Sequence, residues 1–147
     1  MAEIEVPIRL VDKDLEMPAY AYPGDAGLDL RSSVDIELAP FQRALIPTGI
    51  AMAIPEGYAG FVLPRSGSAI KHGLSLVNAP GLIDSSYRGE IKAIAINLDP
   101  ENVLRIQRGD RVAQLVIMAT PLVTLSAQEE LEASERGAGG FGSSGSA

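Results

Sequence analysis

The feature of this sequence that most constrains its fold is a two-residue alternation of apolar and other side chains within short segments. The alternation runs through residues 4–10 and 34–38, and the run 90–98 is apolar on both faces in its middle. Successive side chains of a β-strand point to opposite faces, so this period predicts strands, and 90–98 predicts a strand buried on both sides. The run 112–125 predicts one or two further strands, interrupted at Pro121 because proline donates no ladder hydrogen bond.

Clusters of Gly, Pro, Asn and Asp separate these runs at residues 23–25, 55–57, 78–81 and 99–102. Many short strands joined by such turns predict an all-β fold of the sandwich or barrel-like kind. Helical signals are few. Residues 66–72 predict one or two turns of helix that end at Gly73, and residues 127–135 are helix-permissive but short and acidic. The length of 147 residues predicts one domain with a single core.

Charge and composition exclude several classes of function. The net charge is −7, from 12 Lys and Arg against 19 Asp and Glu, so neither nucleic acid nor an anionic membrane is expected as a partner. A small anionic ligand remains compatible where positive charge is concentrated locally. The chain has no cysteine, which excludes disulfides, thiolate metal sites and cysteine nucleophiles and suits a reducing compartment. With no secretory leader pattern and no apolar run near 18 residues, a cytoplasmic location is expected.

The last 14 residues, 134–147, differ in composition from the rest and hold five of the 15 glycines. Such a segment cannot bury enough surface to fold alone, so a disordered tail or linker is one interpretation. Arg136 and Phe141 favour another, because a linker has no use for a guanidinium and an aromatic ring. A glycine-rich lid would bind phosphates through backbone N–H groups and add charge and a stacking face. We therefore predict a β domain over 1–133 and a flexible C-terminal lid over 134–147.

Five short blocks combine glycine with charged or hydroxyl residues, and each alone is as compatible with a salt-bridged turn as with a functional site. They span residues 25–30, 64–69, 81–90, 108–114 and 136–145. The H-E-x-x-H, Walker A and G-x-G-x-x-G patterns are absent, which argues against zinc proteases, P-loop ATPases and Rossmann enzymes. The single histidine, His72, cannot form a multi-histidine zinc site and is not expected to be catalytic.

Together and in this order, the five blocks resemble those of the trimeric dUTPase family, whose members hydrolyse dUTP to dUMP and pyrophosphate. The resemblance covers residues 5–146, with one modest departure at Ser68, where the family more often has leucine. It implies a jelly-roll-like, distorted β-barrel subunit that assembles as a homotrimer with shared active sites. It also implies a role in limiting uracil incorporation into DNA and in supplying dUMP for dTMP synthesis.

The resemblance further implies how the triphosphate is held. Mg²⁺ would be bound mainly by the substrate phosphates, with Asp29 holding a magnesium-bound water rather than the metal itself. Arg65, Ser66 and Gly67 would cradle the phosphates, since Arg offers a fork of donors and Gly lets the backbone approach closely. Gln114 would contact the α-phosphate. The neighbouring Asp110 and Arg111 are expected to be structural ion-pair residues.

The third block implies a β-hairpin that holds the nucleoside. Uracil would be read by Asn78 and by the backbone at 81–84, and a tight hairpin would exclude the 5-methyl group of thymine. Tyr87 would pack on the deoxyribose and block a 2′-hydroxyl, while Lys92 would approach across the hairpin. Asp84 would act as general base for water attack on the α-phosphorus. The implied nucleoside-site residues are Asn78, Gly81, Leu82, Ile83, Asp84, Tyr87 and Lys92.

The tail would close over the site, with Arg136 on the γ-phosphate, Phe141 over the uracil, and Gly142 and Ser143 donating to phosphates. Two alternatives remain open at this point. One is a dCTP deaminase, or a bifunctional deaminase–diphosphatase, of the same fold superfamily, against which the complete third block argues. The other is a non-catalytic nucleotide-binding regulator that signals through protein contacts.

Overall fold

Residues 3–146 are described in a computed structural model, and in that range they form eleven strands and one short helix. The strands are β1 (Ile8–Leu10), β2 (Leu28–Arg31), β3 (Ile36–Leu38), β4 (Arg43–Pro47), β5 (Ile50–Met52), β6 (Tyr58–Leu63), β7 (Leu74–Leu76), β8 (Gly81–Ile83), β9 (Lys92–Asn97), β10 (Leu104–Ile106) and β11 (Arg111–Ala119). The helix α1 (Ser66–His72) lies between β6 and β7. The prediction of an all-β chain with one short helix is confirmed.

The strands form four sheets in which every described pair is antiparallel. The largest sheet has the order β2-β11-β6-β8, and a three-stranded sheet has the order β4-β9-β7. Two smaller pairs, β1 with β5 and β3 with β10, complete the subunit. Non-consecutive neighbours dominate these orders, as in a jelly roll, so the sheets are held together by contacts between distant parts of the chain.

The core consists of aliphatic side chains supplied by most of the strands. Leu30, Leu38, Ile46, Ile91 and Leu115 are completely buried. Burial of such a side chain contributes roughly 1.5–3 kcal/mol relative to leaving it exposed. The alternation in residues 3–10 is reproduced in the burial of that segment, whose even-numbered side chains are half-buried and whose odd-numbered ones are exposed.

Strand β9 differs from the expectation of burial on both sides. Ala93, Ala95 and Asn97 are buried, but Ile94 and Ile96 on the other face are only half-buried in a single chain. Within residues 3–146 nothing covers the second face fully, although its composition is apolar.

The buried amide of Asn97 ties three parts of the chain together. Its Nδ2 donates to the carbonyl of Leu38 at 2.9 Å and to that of Asn102 at 2.8 Å. Its Oδ1 accepts from the N–H of Asp99 at 2.9 Å. A buried amide with these partners avoids the penalty of an unsatisfied polar group, which is about 1–3 kcal/mol. The pattern in the sequence gave no signal of this polar residue in the core.

Helix α1 has the predicted bounds and ends at Gly73 as predicted. Gly73 has φ +67°, and its N–H donates to the carbonyl of Ala69 at 3.0 Å. A Cβ at this position would lie 2.6 Å from the backbone nitrogen of Asp99, so both the conformation and the space require glycine. The helix places Ser66 and Gly67 directly after β6.

After β11 ends at Ala119, the chain continues as an arm, residues 120–146, without a described strand or helix. The helix-permissive segment 127–135 is therefore not helical. Apolar side chains of the arm are exposed, with Leu122 at 98% and Leu125 at 92%. The division into a domain 1–133 and a lid 134–147 stays a prediction, and residues 1, 2 and 147 lie outside the described range. Within that range, the single seven-residue helix is too short to cross a membrane.

Candidate active site

Three of the five blocks meet at one end of the four-stranded sheet. Gln114 on β11 is the Cα partner of Asp29 on β2 and of Leu63 on β6. Residues directly opposite one another in antiparallel strands project from the same face, so Asp29 and Gln114 share a face. Because the second block follows β6 immediately, Arg65–Gly67 lie at the same end. Together with the loop 21–27 they line a groove of about 470 Å³, which we call the sheet-end groove.

The carboxylate of Asp29 is the electrostatic centre of the sheet-end groove. Its Oδ1 accepts from Nε of Arg65 at 2.8 Å, and its Oδ2 lies 3.4 Å from Nε of Arg111. Arg111 is thus the ion-pair residue expected from the sequence. The same expectation for Asp110 stays a prediction; its Oδ2 accepts the backbone N–H of Gln107 at 2.8 Å and caps the turn before β11.

The amide of Gln114 is held from two sides. Its Nε2 donates to the carbonyl of Pro64 at 2.9 Å. On the other side, a Cβ built on Gly27 would lie 2.4 Å from Oε1 of Gln114, so only glycine leaves room for the amide. This close approach gives Gly27 a role in the site that the sequence did not assign, although its block was singled out.

Sequence reasoning left out two further residues that line the sheet-end groove. Tyr22 and Asp25 belong to the loop before β2, and the N–H of Tyr22 donates to Oδ2 of Asp25 at 2.9 Å. Tyr22 is 73% exposed at the groove. Asp25 stood at the start of the first block, whereas Tyr22 carried no signal because an isolated tyrosine in a loop matches no motif.

The third block forms strand β8 and the turn that follows it. β8 pairs with β6 through Ile83 and Gly60, Leu82 and Phe61, and Gly81 and Val62. Since β8 is the last strand in the order β2-β11-β6-β8, its outer edge has no strand partner in the described chain. The side chain of Asn78 lies beside the start of β8. Its Nδ2 is 3.4 Å from the position that a Cβ on Gly81 would take. Asn78 and β8 are thus brought together, but the predicted β-hairpin is not found among the described residues, because β8 pairs with β6 and the next strand, β9, belongs to the three-stranded sheet.

Tyr87 is fixed by the turn that contains it. Its hydroxyl donates to the carbonyl of Glu90 at 2.9 Å, and its N–H donates to the carbonyl of Asp84 at 3.1 Å. A Cβ on Gly89 would lie 2.4 Å from the Tyr87 hydroxyl oxygen, so the phenol packs directly on the glycine backbone. The ring is therefore held in one place while 43% of the residue stays exposed.

Asp84 is exposed and does not line the sheet-end groove. It borders a separate groove of about 240 Å³ with Tyr58 and Thr120. Ile83 on β8 and Gln114 on β11 are two strand spacings apart across the sheet and three residues apart along it. This places them on the order of 14 Å from each other. A single chain thus keeps the third block apart from the other three.

Lys92 and the arm residues are not brought to either groove. Lys92 is exposed at the start of β9, opposite Pro47 in the three-stranded sheet. In the arm, Nε of Arg136 donates to the carbonyl of Gly139 at 2.7 Å, and Phe141 is fully exposed. The N–H of Ser143 donates to the carbonyl of Gly140 at 3.1 Å, one residue before the Phe141-Gly142 pair. The arm forms local turns in this state.

The model of the dUTPase family matches residues 13–145, a range that includes all five blocks. The chain belongs to the dUTPase family. The deoxyuridine 5′-triphosphate nucleotidohydrolase of Streptomyces coelicolor is 57% identical over 144 residues, which cover 98% of this chain and 79% of that protein. The enzyme of the same name from Thermobifida fusca is 54% identical over 142 residues, covering 97% and 79%.

Solved structures of phage members of the dUTPase family are also similar. A Staphylococcus bacteriophage 80alpha dUTPase with dUpNHpp superimposes with a TM-score of 0.89 at 32% identity, covering 97% of this chain and 99% of that one. A dUTPase from phage phi11 of S. aureus, whose structure reveals the coordination of a structural Mg(II) ion, gives 0.79 at 28% identity, covering 86% and 98%. The resemblance and the fold inferred from the sequence are thereby confirmed.

Proposed function

We propose that this dUTPase-family protein hydrolyses dUTP to dUMP and pyrophosphate. The observation that carries the proposal is the convergence of Asp29, Arg65, Ser66 and Gln114 in one groove, in a chain with an intact third block. Relatives with up to 57% identity over nearly the whole chain are named for the same reaction. In the cell the activity would limit uracil incorporation into DNA and supply dUMP for dTMP synthesis.

The phosphates are assigned to the sheet-end groove. Arg65 uses Nε on Asp29, which leaves its terminal nitrogens to donate to phosphate oxygens. Ser66 and Gly67 are exposed, and a Cβ on Gly67 would meet nothing within 4 Å, so a ligand can approach the backbone there. Gln114, fixed between Pro64 and Gly27, contacts the α-phosphate.

The nucleoside is assigned to β8 and its turn. The unpaired outer edge of β8 offers backbone N–H and C=O groups that match the hydrogen-bonding edge of uracil. Asn78 adds an amide at the start of this edge, and the phenol of Tyr87 packs on the deoxyribose. Cytosine would leave polar groups unpaired at the same edge, which costs about 1–3 kcal/mol for each buried group. Lys92, exposed at the start of β9, is assigned to approach the same nucleoside.

Asp84 is assigned as the general base, because a carboxylate at the end of β8 can orient and deprotonate the attacking water. Mg²⁺ would neutralise charge on the phosphates that bind it. Within residues 3–146 no cluster of three or more His, Asp or Glu could hold a metal ion. Asp29 has both oxygens directed at guanidinium groups, so the chain fits a metal held mainly by substrate, with Asp29 reaching it through water.

The assembly proposed is a homotrimer in which each site draws on more than one subunit. The separation of Asp84 from Gln114 in a single chain supports this, because Asp84 borders another groove and a second copy could supply its own Asp84 to the sheet-end groove. The half-buried Ile94 and Ile96 and the exposed Leu122 and Leu125 supply apolar surface for such contacts. The arm then acts as a lid, with Arg136 on the γ-phosphate, Phe141 over uracil, and Gly142 and Ser143 on phosphates.

Pyrophosphate release with dUTP, dTTP, dCTP and UTP, with and without Mg²⁺, tests the proposal. Activity on dUTP alone is the expected result, and no release from any of the four would overturn it. Ammonia release from dCTP would favour the deaminase, and dUTP binding without turnover would favour the regulator. A cytoplasmic location is part of the same proposal, supported by the absence of cysteine, which suits a reducing compartment.

A further inference from the structure

The hydroxyl of Tyr87 is bound to the backbone of a residue that is itself anchored outside the turn. Tyr87 is 43% exposed, and exposed side chains change rotamer within nanoseconds unless something holds them. The hydroxyl donates to the carbonyl of Glu90 at 2.9 Å, and this bond spans the turn. The direction of the ring therefore depends on where the Glu90 carbonyl is held.

The peptide unit that joins Glu90 to Ile91 is held at both edges. Its carbonyl accepts the Tyr87 hydroxyl, and its N–H, that of Ile91, donates to the carbonyl of Ile50 at 2.8 Å. A peptide unit is planar, so two bonds at opposite edges fix its orientation. The next carbonyl, that of Ile91, accepts both the N–H and the hydroxyl of Thr48, which is buried. The segment that leads from β4 into β5 thus supports the turn that carries the ring.

The side chain of Glu90 adds an anchor on the same segment. Its Oε2 accepts the N–H of Gly49 at 3.3 Å. Gly49 is buried with φ +73°, and a Cβ there would lie 2.8 Å from Cβ of Asp12, so this N–H has a fixed place in the fold. The Glu90 carboxylate is half-buried, and none of the ion pairs found among residues 3–146 includes it. What the carboxylate secures is the position of its own residue.

We propose that Glu90 is a positioning residue that makes the site select deoxyribose over ribose. The inference rests on the proposed function, which places Tyr87 on the sugar. The carboxylate of Glu90 ties the residue to Gly49, and its carbonyl holds the Tyr87 hydroxyl. Exclusion of a 2′-hydroxyl by overlap needs a wall that does not yield, and a ring held by an anchored hydrogen bond is such a wall. A ring released from that bond turns away and admits ribose.

Competition between UTP and dUTP tests the role of Glu90. The measured quantity is the inhibition constant of UTP divided by KM for dUTP, a ratio that a general loss of stability does not change. Glu90→Met keeps the length of the side chain and removes the acceptor. The ratio should fall about tenfold, as expected for the loss of one positioning hydrogen bond, while kcat for dUTP changes by less than about twofold.

Matched variants separate the hydrogen bond from other effects of the substitution. Glu90→Gln keeps an oxygen that can accept the Gly49 N–H, so its ratio should stay within about twofold of that of the unmodified protein. Glu37→Met, a glutamate of β3 outside this network, is the control and should leave the ratio unchanged. Glu90→Asp keeps the charge but withdraws the carboxylate by one methylene, and it replaces Glu90→Met if the melting temperature shows that variant to be unfolded.

A double substitution shows whether Glu90 acts through Tyr87. Tyr87→Phe lacks the hydroxyl and should lower the same ratio, and adding Glu90→Met to it should have no further effect, because residues that act through one bond are not additive. An unchanged ratio in the folded Glu90 variant refutes the positioning role. An equal fall in Glu90→Gln or in the Tyr87→Phe background also refutes it. An unmodified protein that is inactive on dUTP refutes the proposed function, and the positioning role with it.

Discussion

The carboxylate of Asp29 and the guanidinium of Arg65 meet at 2.8 Å across the end of the four-stranded sheet, although they are 36 residues apart in sequence. The pair orients Arg65 through its Nε and leaves the terminal nitrogens of the guanidinium for a ligand. An Asp29→Asn substitution should therefore lower kcat/KM for dUTP by about 10–100-fold and weaken the response to Mg²⁺, because a charge-assisted bond is lost. Glu56→Gln, in an exposed turn, serves as control, and equal steady-state kinetics for both variants would contradict the role of the pair.

Substitution of the proposed base should separate binding from turnover. Asp84→Asn keeps the shape of the turn after β8, so affinity for a dUTP analogue should change by less than about threefold, while kcat should fall by about 10²–10⁴-fold, the usual share of a general base. Calorimetric titration and pyrophosphate release measure the two quantities. A variant that turns over at the normal rate would show that another group activates the water.

The close contact between Gly27 and Gln114 predicts the effect of a substitution in the sheet-end groove. A Gly27→Ala methyl group would meet Oε1 of Gln114 at 2.4 Å, so the amide must move away from the carbonyl of Pro64. We expect kcat/KM to fall about tenfold or more, since positioning errors near 1 Å are costly in catalysis. The melting temperature is measured in parallel. Normal kinetics in a stably folded variant would mean that Gln114 has no fixed position.

Removal of residues 134–147 should leave the domain folded and impair catalysis. These residues make no described contact with either groove and are mostly exposed, so the unfolding free energy should be nearly unchanged. The lid must be ordered on binding, at roughly 1–2 kcal/mol for each backbone residue fixed, and its loss should reduce kcat/KM by at least tenfold. Thermal unfolding and steady-state kinetics check the two parts, and full activity of the truncated chain would exclude a lid.

Two carboxylates, Asp12 and Asp99, predict a component of stability that is lost in acid. Asp12 forms an ion pair with Arg108 and so joins the N-terminal segment to the fourth block. A hydrogen bond from Arg108 is the main cause that lowers the pKa of Asp12 below 3.8, and backbone N–H groups of Asn102 and Glu101 lower the pKa of Asp99. Both folded-state pKa values lie below the unfolded ones, so this stability is complete above pH 3.8 and is lost as pH falls through the folded values. Asp12→Asn should flatten stability against pH in that acid range, measured by urea unfolding, and an unchanged pH dependence in this variant would contradict the role of the ion pair.

The local sequence pattern predicted the type of the secondary structure elements better than it predicted the burial of their faces. The helix at 66–72 follows from neighbouring residues alone and matches the structure. The alternation in residues 4–10 matches the burial of that segment, but only Ile8–Leu10 form a strand. The half-buried face of β9 could not be predicted, because composition does not tell whether the same chain or another one covers an apolar face. Asn97 was missed because no motif marks it: Asp99 and Asn102 bond it from the turn that follows β9, and its third partner, Leu38, lies 59 residues away in sequence.

The identities of the site residues came from the order of the blocks, and their geometry came from strand pairing. The carboxylate that Arg111 faces, Asp29, lies on β2, and the pairing of β11 with β2 is a non-local feature. The separation of Asp84 from Gln114 depended on strand order and register in the same sheet. Tyr22 lines the groove from the loop before β2, where its N–H donates to Asp25, and no sequence pattern marks that position.

The position of β8 at the edge of its sheet affects how the protein avoids aggregation. A free edge that can bond a pyrimidine can also bond another strand, which is the first step of edge-to-edge aggregation. At three residues, β8 is a very short edge strand, which is one way in which proteins prevent pairing with a foreign strand. If β8 binds the base as proposed, recognition and solubility limit the same length, and a variant with a longer, flatter β8 would gain base contacts at the risk of fibre growth.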